Sequence, residues 1–313
     1  MPKSFASKLS GMIRIAALIP LLFGFDYSRH SIPLEDINDG GPGKDGIPAL
    51  SDPRFISPKS ASAELLKEGD RVIGLYMDGV AKAYPIKILN WHEIVNDKIN
   101  GRAFSVTFCP LCGTGMVFDS NVKGRTLTFG VSGLLYQSDM LMYDRETESL
   151  WSQIKMEAVT GPLTGAELRL IPSVQTNWKR WRMLHPDTVV LSVDTGYRRN
   201  YQRDPYGNYS TSPDLMFEVK TLGGSYHPKE KVIGVEFGKV KKAYPFKELE
   251  KSEKPVQDTV GGKKITIHFD ERSQTATVRD DKGIEAASVV GFWFAWHAFH
   301  PDTEIYSSGE GVE

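Results

Sequence analysis

Both cysteines of the 313-residue chain sit in one octapeptide, Phe108-Cys109-Pro110-Leu111-Cys112-Gly113-Thr114-Gly115. Two thiols at this spacing support three chemistries: a short structural bridge, dithiol redox exchange, or capture of a metal ion by two thiolates. A bridge here restricts the unfolded chain little, by roughly 2 kcal/mol for a four-residue loop against about 4.7 for a hundred-residue loop. A tight pair favours exchange or metal binding, because the second sulfur is always at hand. A thioredoxin-type site needs a helix after the motif to lower the first thiol's pKa. Gly113-Thr114-Gly115 followed by Met116-Val117-Phe118 instead predicts a strand, a knuckle and a second strand.

Two thiolates are half of a tetrahedral metal site. The candidates for the remainder are His92, on a helix expected over 86–96, and Met140 and Met142, which alternate on one strand face in "SDMLMYDRETESLW". Cys, His and Met together are soft or borderline ligands and point to copper ahead of zinc. Glu93, one residue from His92, is expected on another face of that helix and is a candidate to line a pocket beside the site. Tyr136, Tyr143, Asp144, Arg145 and Trp151, with Ser132, Ser149 and Ser152, are candidates to line a pocket or to serve as turn chemistry. "DPYGNY" (204–209) reads as an aromatic turn on the surface. The expected ligand is thus a copper or zinc ion, with no nucleotide or flavin signal.

Other templates are missing: there is no GxSxG elbow, HExxH helix, P-loop or dinucleotide fingerprint. A formal net charge of −1 gives no basic field for nucleic acid. Lys3, Lys8 and Arg14 precede an apolar run over 15–25, the proportions of an export signal and short for a membrane span. No small-x-small cleavage site follows it. Residues 1–25 are therefore expected to be a signal or a membrane anchor of an exported chain, acting on a small molecule or an exported protein partner. Residues 26–54 are rich in turns and read as an extended arm or linker.

The elements that must position the cysteines repeat. "RVIGLYMDGVAKAYP" (71–85) resembles "KVIGVEFGKVKKAYP" (231–245) at an offset of 160. "VNDKINGRAFSVTF" (95–108) resembles "VQDTVGGKKITIHF" (256–269). "WKRWRMLHPDTVVLS" (178–192) resembles "FWFAWHAFHPDTEIY" (292–306). Each reads as hairpin, strand pair and short aromatic helix. The expected fold is α+β and β-rich, made of two related units. The first, 55–215, carries the cysteines and an insertion over about 120–177; the second, 216–313, is a shorter copy. His185 and His300 recur in both and read as scaffold at helix ends. The cysteines and His92 occur only in the first.

"GPGKDGIPAL", "AYPIKILNWHEIVND", "VTFCPLCGTGMVFD", "SGLLYQSDMLMYDRETESLWSQ" and "HPDTVVLS…YGNY" together resemble the DUF3179 family, a domain of unknown function, over roughly 40–313. The resemblance implies that the arm, the Trp91-His92-Glu93 segment and the cysteine knuckle belong to one pattern, and it favours an exported setting. It implies no activity. Three readings follow: a Cys/His metal site for electron transfer, metal handling or metal-dependent oxidation; a binding module with a structural bridge; and a thiol–disulfide enzyme on a scaffold unlike thioredoxin.

Overall fold

The alternation in residues 71–85 folds as a hairpin. Arg71–Met77 and Val80–Pro85 pair antiparallel, and Asp78 and Gly79 turn the chain with φ of 50° and 80°. Left-handed φ at both central turn residues matches the twist of the flanking strands. This computed structural model describes residues 24–309. The basic and apolar stretch expected to direct export lies outside them, but for its last two residues. Among the described residues, no helix is long and apolar enough to cross a membrane.

The described residues are β-rich with five short α-helices: α1 (Pro58–Glu64), α2 (Ile86–His92), α3 (Trp178–Leu184), α4 (Phe246–Lys251) and α5 (Trp293–Phe299). The first hairpin lies in a five-stranded sheet with Val174–Asn177, Val189–Leu191 and Phe55–Ile56. The hairpin Lys231–Phe237 and Val240–Pro245 lies in a nine-stranded sheet. That sheet also holds the cysteine strands Arg102–Cys109 and Thr114–Asp119, joined to the second half through Val289–Phe292. A three-stranded sheet (Val256–Val260, Lys263–Asp270, Thr275–Asp280) packs on the second hairpin. The segment read as an insertion forms most of a separate five-stranded sheet, Phe129–Tyr136, Asp139–Asp144, Leu150–Ser152 and Glu157–Thr160, edged by Ile37–Asp39.

The same small contacts occur at both hairpins. Tyr84 donates to Asp97 (2.6 Å) and Tyr244 to Asp258 (2.7 Å). Trp181 donates its indole N–H to Thr188 and Trp296 to Thr303, both at 2.9 Å. Each indole lies against a glycine, Gly74 or Gly234, where a Cβ would sit 2.2 Å from the ring. His185 and His300 follow helices α3 and α5, and each packs on its tryptophan, with centroids 4.1 and 4.3 Å apart.

One expectation is corrected. The helix read over 86–96 stops at His92, and Ile94–Ile99 is a strand. Its β-branched Ile-Val start carries the chain into the sheet rather than on around the helix. Within the arm, Ile37–Asp39 pairs with Leu134–Tyr136, and Leu50–Ser51 pairs with Val95–Asn96.

Candidate metal centre

The knuckle is the turn between Arg102–Cys109 and Thr114–Asp119. Cys109 opposes Thr114 at the last rung, and the Cys112 carbonyl accepts from Phe292 N–H (2.8 Å). Gly113 has φ 63°, and a Cβ there would meet the Phe292 ring at 2.9 Å, so the turn needs glycine. Below it, Thr107, Thr114 and Gln153 form a buried chain: Thr114 donates to Gln153 (2.6 Å), and Gln153 donates to Thr107 (2.7 Å). Satisfied polar chains of this kind hold one turn geometry. Both cysteines are free thiols and buried, so the short bridge is not formed.

A carboxylate completes the group. The two sulfurs and a carboxylate oxygen of Asp139 lie within 4.8 Å of one another, all buried. Asp139 opens its strand after Gln137 and Ser138, whose φ values of 52° and 65° turn the chain sharply. One carboxylate oxygen, Oδ2, accepts from Ile154 N–H (3.0 Å). The other, Oδ1, is buried without a hydrogen-bond partner, as are the Ser138 and Tyr209 hydroxyls. Cys112 Sγ–H donates to the Ser138 carbonyl (3.3 Å).

Glu93 adds a second buried acid. It ends α2 with φ 55°, a conformation uncommon for a non-glycine, and this aims its side chain away from the helix stripe. Burial pushes its carboxyl up to about 7, and the nearby Asp139 charge adds to this. Burial raises Asp139 to about 7 as well. Burial likewise pushes both thiols up, Cys112 strongly, with the Asp139 charge adding to each. The opposing cation is Lys229, lowered to about 8 by burial, whose charge favours the Cys112 thiolate. Its ammonium donates to the Asp214 carbonyl (3.0 Å) and lies 3.7 Å from the Tyr209 ring centre. Two thiols and two carboxyls thus share one dry site with a single ammonium. Such a site is stable only protonated or with a bound cation.

A lid closes it. Residues 192–230 contain one 3₁₀ turn, Tyr209–Thr211, and no strand. Loops of this length without secondary structure are usually functional. The last two residues of α2 and Glu93, which follows it, each hold one lid residue. Trp91 donates its indole N–H to the Arg203 carbonyl (3.1 Å), His92 Nε2 meets the Tyr201 hydroxyl (2.7 Å), and Glu93 accepts from the Tyr206 hydroxyl (3.2 Å). Tyr206, Tyr209, Leu215 and Phe217 pack into the core that contains the cysteines.

A family model described as a protein of unknown function, DUF3179, matches residues 44–288, most of the chain. The chain belongs to DUF3179. No curated protein and no solved structure matches it.

In this DUF3179 protein His92 is not placed as a ligand. Its Nδ1 donates to the Pro48 carbonyl (2.8 Å), which leaves Nε2 to accept from Tyr201. Burial lowers its pKa, consistent with the neutral ring this pattern needs. Both nitrogens are committed, and the group that could hold an ion among the described residues is Cys109, Cys112 and Asp139. Glu93, expected to face elsewhere, is the residue of this segment that acts on Cys109. Met140 and Met142 are buried in the same core cluster as the cysteines.

The remaining pocket candidates serve the insertion sheet. Asp144 caps a turn through Thr147 N–H (2.6 Å) and accepts from the Trp151 indole (2.9 Å). Tyr143 (2.5 Å) and Arg145 (3.0 Å) tie Asp45 of the arm, and Lys44 pairs with Glu148. Tyr136 packs edge-on to Phe299. Ser132 donates to the Leu141 carbonyl, and Ser149 accepts from Leu163 N–H. Ser152 accepts from Lys155 N–H (3.3 Å). The residues missed in sequence were Asp139, Tyr201, Tyr206, Tyr209 and Lys229. The signal available was a turn pair, Ser138-Asp139, opening an otherwise apolar strand, and three tyrosines spaced through a long polar loop.

Proposed function

We propose that this DUF3179 protein binds one divalent cation of the zinc type on Cys109, Cys112 and Asp139. The observation that carries the reading is the convergence of two free thiols and one carboxylate within 4.8 Å in a buried site. A bound cation would neutralise both thiolates and the carboxylate at once, and would give Asp139 Oδ1 a partner. A hard carboxylate in place of the expected imidazole shifts the preference from copper toward zinc. Three protein ligands leave a fourth position, the arrangement of catalytic rather than structural zinc. Glu93 and Tyr206 flank the site as a proton acceptor and its anchor. The reading is therefore of metal-dependent chemistry on a small molecule or partner admitted when the lid opens. An exported setting remains part of the proposal and rests on residues 1–25.

Elemental analysis of protein purified without oxygen, with thiol titration on the same sample, tests it. The expected result is about one zinc per chain with both thiols protected. Cys109→Ser, Cys112→Ser and Asp139→Ala each lose the ion, while His92→Ala retains it. Retention of full metal by Asp139→Ala would sink the assignment. A dithiol redox site is the second reading, favoured by a buried carboxyl beside two free thiols, able to take a thiol proton. It predicts no metal and reversible closure of a Cys109–Cys112 bridge.

We also infer that the chain is two copies of one unit. The paired Tyr–Asp, Trp–Thr and Gly–Trp contacts support this, as do the parallel pairings Val80–Pro85 with Val189–Leu191 and Val240–Pro245 with Glu304–Ile305. On this reading the cysteines, Asp139 and the insertion belong to the first copy, and the lid runs across the join between the two.

A further inference from the structure

A second site lies away from the cysteines. A groove of about 1400 Å³ runs between the first five-stranded sheet, α3 and the three-stranded sheet of the second half. Six cations line it: Arg102, Arg169, Arg180, Lys254, Arg272 and Arg279, against Asp270, Glu271 and Glu285. The existing pairs leave positive charge over. Arg102 and Arg169 share one oxygen of Asp119, so two guanidiniums face one carboxylate. Arg180 is paired with Asp270, and Lys254 lies 3.4 Å from Glu271. The Arg272 guanidinium makes no ion pair or hydrogen bond with a described residue. Arg169, with its side chain 69% exposed, keeps most of its donor fork open to the groove.

The same walls carry apolar surface. Tyr76, Leu184 and Ile284 are more than half exposed, at 59%, 54% and 62%, and all three line the groove. Tyr76 stacks on His185 (5.0 Å), which packs on Trp181, whose indole is pinned by Thr188. The groove thus offers a fixed aromatic tier, aliphatic contacts and guanidinium forks in one concave surface. Exposed apolar side chains gathered in one place mark an interaction site. Arginine forks match carboxylates in bidentate geometry.

We infer that this groove binds an extended acidic peptide segment of a partner protein, with carboxylates on Arg169 and Arg272 and apolar side chains on Tyr76, Leu184 and Ile284. Concavity suits a chain rather than a flat membrane surface. Aliphatic walls suit peptide side chains better than sugar rings, which take aromatic stacking but gain little from Leu184 and Ile284. The inference stands apart from the metal centre, which the groove does not touch.

The test is fluorescence anisotropy with a fluorescein-labelled decapeptide of alternating Glu and Leu, on the full chain. The alternating Lys-Leu peptide serves as charge control and polygalacturonate as competitor. The Glu-Leu peptide is expected to bind, more weakly as salt rises. Binding should fall by at least about tenfold in Arg169→Glu/Arg272→Glu, as expected for lost charge-assisted bonds. A milder pair, Arg169→Gln/Arg272→Gln, guards against misfolding and should weaken binding in the same direction. No binding of the Glu-Leu peptide, binding indifferent to both arginine pairs, equal binding of Lys-Leu, or displacement by equivalent polygalacturonate would each overturn the inference.

Discussion

His92→Phe separates a latch from a ligand. The structure gives His92 two hydrogen bonds, to the Pro48 carbonyl and from the Tyr201 hydroxyl. Phenylalanine keeps the aromatic packing against Tyr197 and Tyr201, so the cavity term is small. Tyr201 retains its bond to Thr195 (2.6 Å), which leaves its hydroxyl satisfied. Only the Tyr201 bond spans the lid, so its loss is about 1 kcal/mol of closure, or roughly a fivefold rise in the open population of the lid. Arg198, Arg199 and Arg203 are exposed on that lid and are substrates for trypsin. Where opening is fast relative to cleavage, the cutting rate tracks the open population. Cleavage in residues 198–203 should therefore accelerate by about that factor, while metal content stays at that of wild type. Tyr201→Phe, which removes the same bond from the lid side and leaves the Pro48 bond intact, should give an acceleration of similar size. A His92→Phe protein that folds, is cut at the wild-type rate and lacks metal would refute the argument and restore His92 as a ligand.

Gly113→Ala should cost about 1–3 kcal/mol in chemical denaturation, from left-handed φ and contact with the Phe292 ring; an unchanged midpoint would show that the knuckle can shift. In the metal-free protein, Glu93 and Asp139 are raised to about 7 from ordinary carboxyl values. Their contribution is full below pH about 4 and is lost as pH rises through about 7, because the folded state then holds protons the unfolded state has released. The stability difference between wild type and Asp139→Asn, measured by denaturation, should therefore fall between pH about 4 and 7; a flat difference would argue against a buried, raised carboxyl. Burial lowers His300 to about 4, so its contribution runs the other way and is lost as pH falls below about 6.5; His300→Phe should flatten that acid limb in the same titration. Tyr84→Phe and Tyr244→Phe should cost similar amounts, about 1.5–3 kcal/mol each, through loss of a bond to a carboxylate; a large inequality would weaken the reading of two equivalent copies.

The hairpins, the knuckle and the aromatic helices were legible because each rests on local signals: period-two alternation, Asp-Gly or Gly turns, and a Pro stop. The cysteine pair was legible as a site for the same reason. Glu93 was not, because its direction depends on one left-handed φ where α2 meets a strand, and helical periodicity places it on the wrong side. Asp139 was not, because its approach to the sulfurs is set by pairing Asp139–Asp144 between Phe129–Tyr136 and Leu150–Ser152, contacts far apart in sequence. The tyrosines of "DPYGNY" read as surface because composition cannot say which side of a loop faces inward. His92 drew a metal assignment from its residue type, whereas its two partners come from the arm and the lid, 44 and 109 residues away.

The differences between the two halves meet at one place. In the second half, α4 ends at Lys251 with Ser252 in extended geometry, and Ser252 meets the Tyr306 hydroxyl rather than a lid. The turn corresponding to the knuckle, after Lys263–Asp270, carries Asp270 paired with Arg180 and no thiol. A left-handed Glu93, two thiols and a covering loop are separate features of the sequence, spread over more than a hundred residues. Packing reasons alone would not bring the first two together, since the hairpin and helix of the second half fold with neither a left-handed residue after the helix nor a thiol. Their convergence on one dry, acid-rich pocket is what a site built for a cation requires. It is also why Asp139, rather than His92, is the residue whose loss should empty it.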